Sequence, residues 1–126
     1  MPINVWSDEI YIVHLSDEPA FSEDMAALKG TLAENGAENG TVVPDVIADL
    51  RDVSFLNSSN IAQLLAVRQA LNTAGRNLRL CSLQHGVWSV LHVAGLGRVF
   101  HITDDVAMSL ASLQLDEDAD NEGDLE

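Results

Sequence analysis

The stretch from Val46 to Val67 constrains the fold of this chain more than any other part of its sequence. It begins with an apolar run that ends at Leu50, which predicts a buried strand. The apolar pair Phe55–Leu56 then leads to two serines, Ser58 and Ser59, and to a segment whose apolar residues recur at helical spacing. A buried strand joined to a helix by a short polar loop is the unit from which α/β folds are built.

The two serines lie at the start of that predicted helix. Backbone N–H groups in the first turn of a helix lack intrahelical partners, and a serine hydroxyl placed there accepts a hydrogen bond from one of them. The helix dipole also favours negative charge at this end. Ser58 is therefore a candidate phosphorylation site, and Ser59 is the better candidate for the local cap.

Apolar spacing along the rest of the chain predicts five strands and four helices in the order ββαβαβαβα. The predicted strands cover Ile3–Trp6, Ile10–Leu15, Thr41–Leu50, Leu78–Leu83 and Val99–Ile102. The predicted helices begin near Pro19, at the serines, near Val87 and after Thr103, and the first ends at the loop Gly36–Gly40. Parallel strands need a crossover helix between them, so this order predicts a single α/β domain with a mixed, mostly parallel sheet.

The charge of the chain is strongly unbalanced, with a formal net charge of −14. Residues 116–126 hold seven of the 20 acidic residues and no basic residue. We expect this segment to be a disordered, solubilising tail that follows a folded domain of residues 1–115. The domain itself is acidic too, which argues against nucleic acid and anionic membranes as partners.

The sequence also bears on where the protein works. No apolar stretch is long enough to span a bilayer. The first ten residues contain Asp8 and Glu9 and no basic residue, which is not the pattern of a secretory signal peptide. The single cysteine, Cys81, excludes an internal disulfide and is expected in the core. We expect a cytoplasmic protein.

Several short motifs fall at the spacing of a known family. Asp49–Leu50 ends the predicted strand, Ser58–Ser59 opens the helix, and Leu64–Leu65 lies near the start of that helix. The matching segments further along are Asn77–Leu83, Val87 with Val90 and Leu91, Ala94–Leu96 and Val99–Phe100. Together with Phe55–Leu56, these residues resemble the STAS domain, the fold of bacterial anti-sigma-factor antagonists, over about residues 41–113.

The resemblance implies a regulatory domain in bacterial transcription signalling that binds an anti-sigma factor of the serine kinase type. Ser58 matches the serine that is phosphorylated in the family, and phosphate on it would oppose binding. Asn57, Ser59 and Asn60 surround this serine and are expected to contact the partner. The exposed face of the following helix adds candidate partner contacts at Gln63, Ala66, Val67 and Gln69.

Three positions depart from the family pattern. Asn57 stands where the family has aspartate, and Asn60 stands where it has glycine. The family's Gly-Glu-Leu-Asp segment corresponds to residues 17–20, Asp-Glu-Pro-Ala, so its acidic residue is displaced or absent here. These departures keep a second interpretation open, an unphosphorylated scaffold or adaptor in a multi-protein regulatory assembly. A weak homodimer is compatible with either interpretation.

No cofactor, metal site or enzyme activity is expected. His85 and His92 are two helical turns apart, whereas zinc sites need three or four ligands around one point. Ser58 has no histidine base beside it in the sequence, so a small hydrolase or ligand-binding domain is only a third interpretation. Trp6 and Trp88 are expected to serve packing.

Overall fold

The computed structural model describes the backbone of residues 3–37 and 43–123, and the side chains of residues 3–34 and 43–115. Its elements follow the order ββαβαβαβα, which confirms the prediction. The strands are β1 (Ile3–Ser7), β2 (Ile10–Ser16), β3 (Asp45–Asp52), β4 (Leu78–Cys81) and β5 (His101–Thr103). The helices are α1 (Ala20–Ala37), α2 (Ser58–Thr73), α3 (His85–Val93) and α4 (Val106–Gly123).

The five strands form one sheet in the order β1-β2-β3-β4-β5. β1 and β2 are an antiparallel hairpin whose register is irregular between Val5 and Ser7. The strands from β2 to β5 are parallel neighbours, so the predicted mixed, mostly parallel sheet is confirmed. Because these four strands run in the same direction, the loops that follow them all leave from one edge of the sheet, the carboxyl edge.

Three helices cover one face of the sheet and enclose the larger apolar core. Within β3, alternate residues Val46, Ala48 and Leu50 face this core, while Ile47 faces the opposite side. The helices contribute buried side chains at Phe21, Met25 and Leu28 of α1, Leu64, Val67 and Leu71 of α2, and Val87 and Leu91 of α3. The helices α1, α2 and α3 therefore lie on the same side of the sheet.

Among the described residues, α4 is the one helix on the other face. The buried members of the smaller cluster there are Ile12, Ile47, Cys81 and Leu113. Polar side chains also lie between this helix and the sheet, where Arg79 Nε donates to Ser112 Oγ at 2.8 Å. The chain thus crosses from one face of the sheet to the other after β5.

The start of β3 and the end of α1 differ slightly from the prediction. β3 begins at Asp45, directly after Pro44, because a proline nitrogen cannot donate to a neighbouring strand. The predicted start at Thr41 lies outside the described residues. α1 continues to Ala37, one residue past the predicted start of the loop, and the rest of that loop is also outside the described residues.

The end of β4 and the start of β5 differ from their predicted positions. β4 ends at Cys81 because the next residue, Ser82, has a positive φ of 59° that takes the chain out of the sheet. β5 begins at His101, not at Val99, because the Val99 N–H donates to the Leu96 carbonyl in a turn. A change of backbone direction therefore sets the end of β4, and a hydrogen-bonded turn sets the start of β5.

The three residues that were expected in the interior behave differently from one another. Cys81 is fully buried, as predicted, and burial raises the pKa of its thiol. Trp6 is 59% exposed, so the prediction that it serves packing is wrong, whereas Trp88 is 41% exposed and packs in part, with its ring near Gly97. Trp6 lies on the edge strand β1, and Trp88 lies on a nine-residue helix that buries two positions, so neither element could enclose an indole.

The last helix extends through most of the segment that the sequence analysis treats as a tail. α4 reaches Gly123 because residues 116–122 contain no glycine or proline that would end it earlier. The domain boundary after residue 115 and the disorder of residues 116–126 stay predictions, and residues 124–126 lie outside the described part. No helix within residues 3–37 and 43–123 is both long and apolar enough to cross a membrane.

Candidate functional site

The start of α2 is closed by a reciprocal pair of asparagines. Asn57 is the N-cap, and its Oδ1 accepts a hydrogen bond from Asn60 N at 2.8 Å. In return, Asn60 Oδ1 accepts a hydrogen bond from Asn57 N at 3.0 Å. This capping box satisfies two backbone donors at once. The prediction that Ser59 caps the helix is wrong, because Asn57 already holds that role.

Both serines are left free by this arrangement. Ser58 is the first residue of α2, Ser59 is the second, and both side chains are exposed. Neither hydroxyl makes a hydrogen bond to any other described residue. The Ser58 hydroxyl is therefore accessible for modification, at the end of the helix where added negative charge is best tolerated.

The loop before α1 supplies an acidic residue to the start of α2, so the acidic residue that was predicted to be displaced or absent is present at a displaced position. Glu18 accepts hydrogen bonds from Ser22 N at 2.7 Å, from Ser22 Oγ at 2.6 Å and from Asn60 Nδ2 at 3.3 Å. The hydrogen bond from the Ser22 hydroxyl is the main cause that lowers the pKa of Glu18. This carboxylate thus joins the start of α1 to the start of α2.

A second acidic residue of the same loop fixes the segment between β3 and α2. Asp17 accepts hydrogen bonds from Ser54 N at 2.8 Å and from Ser54 Oγ at 2.7 Å. The Ser54 hydroxyl is the main cause that lowers the pKa of Asp17, followed by the backbone N–H of Ser54. No local pattern indicates these contacts, because Asp17 and Ser54 are 37 positions apart.

Gln63 belongs to the same polar network. Its Nε2 donates to Ser22 Oγ at 3.1 Å, and its Oε1 accepts from Asn60 Nδ2 at 3.5 Å. The network therefore consists of Glu18, Ser22, Asn60 and Gln63, and it connects the first turns of α1 and α2. Gln63 is half-buried, and its amide groups are directed at this network.

The predicted partner-binding residues divide by exposure. Asn57, Ser59 and Gln69 are exposed, and Gln63 and Ala66 are half-buried. Val67 is 1% exposed and Asn60 is 2% exposed, so the prediction that these two contact a partner is wrong. Val67 lies three residues after Leu64 and four before Leu71, which places it on the buried face of α2. Asn60 is enclosed by the capping box and the carboxylate of Glu18.

One exposed aromatic residue at this place was not predicted as part of the site. Phe55 is 61% exposed, whereas its neighbour Leu56 is 1% exposed. Both were treated as an apolar pair, although adjacent residues in an extended segment point to opposite sides and only one can enter the core. Together with Asp52, Asn57, Ser58 and Ser59, all exposed, Phe55 forms the surface that we call the α2 mouth.

The motif residue Asp49 has a structural role. It is 5% exposed, and its Oδ2 lies 3.0 Å from His14 Nδ1. Its Oδ1 accepts a hydrogen bond from Arg51 N at 3.0 Å.

No group of three or more metal-ligating side chains comes together among the described residues.

A family model matches this chain. The model is described as the STAS domain, and it covers residues 6–109. The match takes in both the α2 mouth and the network behind it. The chain belongs to the STAS domain family. No curated protein matches the chain at a significant level.

Solved structures have the same fold. A STAS domain protein from Planctomyces limnophilus, described as an anti-sigma-factor antagonist, is 18% identical, with a TM-score of 0.70 over 89% of this chain and 97% of that one. The Bacillus cell fate determinant SpoIIAA in its phosphorylated form is 18% identical, with a TM-score of 0.65 over 87% and 95%. A chain of the stressosome, a signal integration and transduction hub, is 18% identical, with a TM-score of 0.69 over 90% and 96%.

Proposed function

We propose that this chain is a regulatory domain of the anti-sigma-factor antagonist type, which binds an anti-sigma factor that is also a serine kinase. The kinase would phosphorylate Ser58, and the phosphate would release the complex. The observation that carries this proposal is the exposed, unbonded hydroxyl of Ser58 in the first turn of α2, within a STAS fold. The domain would act in the cytoplasm of a bacterial cell and would have no enzymatic activity of its own.

The composition of the α2 mouth supports protein binding at this place. Aromatic side chains are enriched among the residues that dominate the energy of protein interfaces. Phe55 offers such a side chain beside Ser58, and the polar groups of Asn57 and Ser59 surround it. The bonds of Ser54 to Asp17 hold the loop in place, so less ordering is required when a partner binds.

The surroundings of Ser58 also explain how a phosphate would act. A phosphoserine carries a charge of about −1.5 to −2 at neutral pH. At the α2 mouth this charge would lie beside the exposed Asp52 and within about one helical turn of the network that holds Glu18. Like-charge repulsion and the hydration of the phosphate would disrupt an apolar contact made by Phe55, although the helix itself tolerates the charge.

The proposal is tested by phosphorylation and binding with purified proteins. The chain is mixed with each anti-sigma factor kinase of its source organism, and complex formation is measured by calorimetry with a non-hydrolysable ATP analogue. Mg-ATP is then added, and the intact mass is recorded. We expect one kinase to bind, to add a single phosphate and to lose affinity for the product.

Two variants separate Ser58 from its neighbour. Ser58→Ala should bind the kinase and take no phosphate, while the matched control Ser59→Ala should still take one phosphate. Phosphate uptake by Ser58→Ala, or failure of every kinase to bind the unmodified chain, would contradict the proposal.

The scaffold or adaptor remains a second candidate because of the capping box. Asn57 and Asn60 satisfy the start of α2 with their own side chains, so the helix start needs no modification to be complete. The structural similarity to a stressosome chain is in keeping with this candidate. The variant Ser58→Glu distinguishes the two, because a scaffold would bind its partner equally well with glutamate at this position.

A further inference from the structure

The connections that follow the neighbouring strands β4 and β5 lie on opposite faces of the sheet. The loop after β4 leads into α3, on the same face as α1 and α2, whereas the loop after β5 leads into α4 on the opposite face. Where two neighbouring parallel strands send their connections to opposite faces, the loops diverge and leave a crevice at the carboxyl edge. In open α/β sheets, this crevice is the usual place for a ligand.

A pocket of about 470 Å³ occupies this crevice. We call it the switch-point pocket, and it is lined by Leu83, His85, Trp88, Ile102, Thr103 and Asp104. The first three residues belong to the loop after β4 and to α3, and the last three to the end of β5 and the loop after it. Its volume lies in the range of roughly 300–1,000 Å³ that is usual for small-ligand sites.

The two sides of the pocket are fixed to one another. Ser82 N donates to the Asp104 carbonyl at 3.1 Å, which joins the two diverging loops. Ser82 makes this bond with a φ of 59°, a strained conformation for serine of the kind that often persists at functional sites. The ring of Trp88 lies 6.0 Å from that of His92, and a Cβ added at Gly97 would be 3.6 Å from Trp88 Cη2. The indole therefore lies close to both His92 and Gly97.

The lining combines apolar surface, the indole of Trp88, the imidazole of His85 and one carboxylate without a partner among the described residues. Leu83 and Ile102 are half-buried, and Trp88 is 41% exposed. The Asp104 carboxylate is exposed and makes no hydrogen bond or ion pair with any described residue. The adjacent Asp105 differs, because its Oδ1 accepts a hydrogen bond from Met108 N at 2.8 Å at the start of α4.

Asp104 decides which sign of charge fits the pocket. The first turn of α3 also borders it, and the helix dipole there favours anions, but with only about half an elementary charge. The Asp104 carboxylate carries a full charge, and the net charge of the chain, −14, acts in the same direction. The face of an indole also attracts cations.

We propose that the switch-point pocket binds an organic cation. A guanidinium or alkylammonium group would pair with the Asp104 carboxylate, and the apolar part of the ligand would lie against Trp88. Two sources have this chemistry, the arginine side chain of a partner protein and a free small amine. The proposal does not depend on Ser58, which lies on a different loop.

The fluorescence of Trp88 reports binding directly. The exposed Trp6 is replaced by phenylalanine, so that Trp88 is the one remaining tryptophan, and the full chain is titrated with three probes. The probes are N-acetyl-arginine methylamide, agmatine, and N-acetyl-citrulline methylamide, which has the shape of the first without its charge. We expect saturable fluorescence changes with the two cations and at least tenfold weaker binding of the citrulline probe. Tighter binding of agmatine would identify a free amine as the source, and equal or tighter binding of the capped arginine would identify a protein side chain.

Variants of the carboxylate complete the test. Asp104→Asn should weaken cation binding about tenfold, Asp104→Glu should retain it, and the matched control Asp52→Asn, at the α2 mouth, should have no effect. Circular dichroism establishes that each variant is folded. Equal binding of the citrulline and arginine probes, or an unchanged affinity in Asp104→Asn, would overturn the proposal, and so would the absence of any saturable change.

Discussion

Phe55 and Leu56 are neighbours of similar chemistry with opposite surroundings. Leu56 is enclosed by the core between the sheet and its helices, while Phe55 lies in solvent beside Ser58. Phe55, at 61% exposed, contributes little to the core, so most of its side chain is available for contacts outside the domain. The two residues therefore offer a matched pair for separating binding from stability.

Phe55→Ala should weaken binding of the kinase tenfold or more, because it removes the aromatic side chain of the α2 mouth. Its free energy of unfolding should change by less than about 0.5 kcal/mol, as is usual for an exposed position. Leu56→Ala should instead lower the free energy of unfolding by about 2–5 kcal/mol. Calorimetry and urea denaturation measure the two effects, and a large loss of stability in Phe55→Ala would show that this side chain has a structural role.

The cap of α2 can be tested in the same way. Asn57→Ala removes the side-chain oxygen that accepts from Asn60 N, which should lower the free energy of unfolding by about 1 kcal/mol. Asn57→Asp keeps an acceptor at the same place and should cost much less. Ser59→Ala, at an exposed hydroxyl without a bond, should be neutral in urea denaturation. Equal stability of Asn57→Ala and the unmodified chain would contradict the assigned cap.

At the scale of elements, the loop before α1 and the loop before α2 are held together by carboxylates. Asp17 bonds to Ser54, and Glu18 bonds to both Ser22 and Asn60, so each carboxylate is better stabilised in its charged form in the folded protein than in the unfolded chain. The pKa values of both groups are lowered as a result. Their contribution to stability must therefore depend on pH.

Because both pKa values are lower in the folded state, the stabilisation is complete at neutral pH and is lost as the pH falls through the folded values. The loss should begin below pH 4.5, the ordinary value for Glu18. Removing these carboxylates in Asp17→Asn with Glu18→Gln should make the stability fall less steeply below that pH. Thermal unfolding from pH 7 to pH 3 measures this slope, and identical slopes for the variant and the unmodified chain would refute it.

The order of elements was predictable from the sequence because the spacing of apolar residues indicates which face of each helix or strand is buried. The strand at Val46–Leu50 and the helix with buried Leu64 and Leu71 could be predicted from residues close in the sequence. The end of β4 was not predictable, since it depends on the bond from Ser82 N to the Asp104 carbonyl, far along the chain. The bonds of Asp17 to Ser54 and of Glu18 to Asn60 were missed for the same reason. Val67 was placed on the wrong face of α2 because the exposed face was assigned without knowing which elements pack against the helix.

At the scale of the whole molecule, the two faces of the sheet are unequally covered. Three helices share the larger core, while α4 encloses the smaller cluster with Leu113 as its buried leucine. Leu113→Ala should lower the free energy of unfolding by about 2–4 kcal/mol, because little else is available to fill the space. Leu115→Ala, on the same helix at a position 66% exposed, is the matched control and should be close to neutral in urea denaturation.

The position of Cys81 allows the opening of α4 from the sheet to be measured. It is the one cysteine of the chain and is fully buried beneath α4, and burial disfavours the thiolate, the form that attacks thiol reagents. A thiol reagent can therefore label the native protein only during the moments when α4 lifts from the sheet. A labelling rate much faster than global unfolding would give the average rate at which α4 opens. That rate would show how often the second face of the sheet is accessible to other molecules.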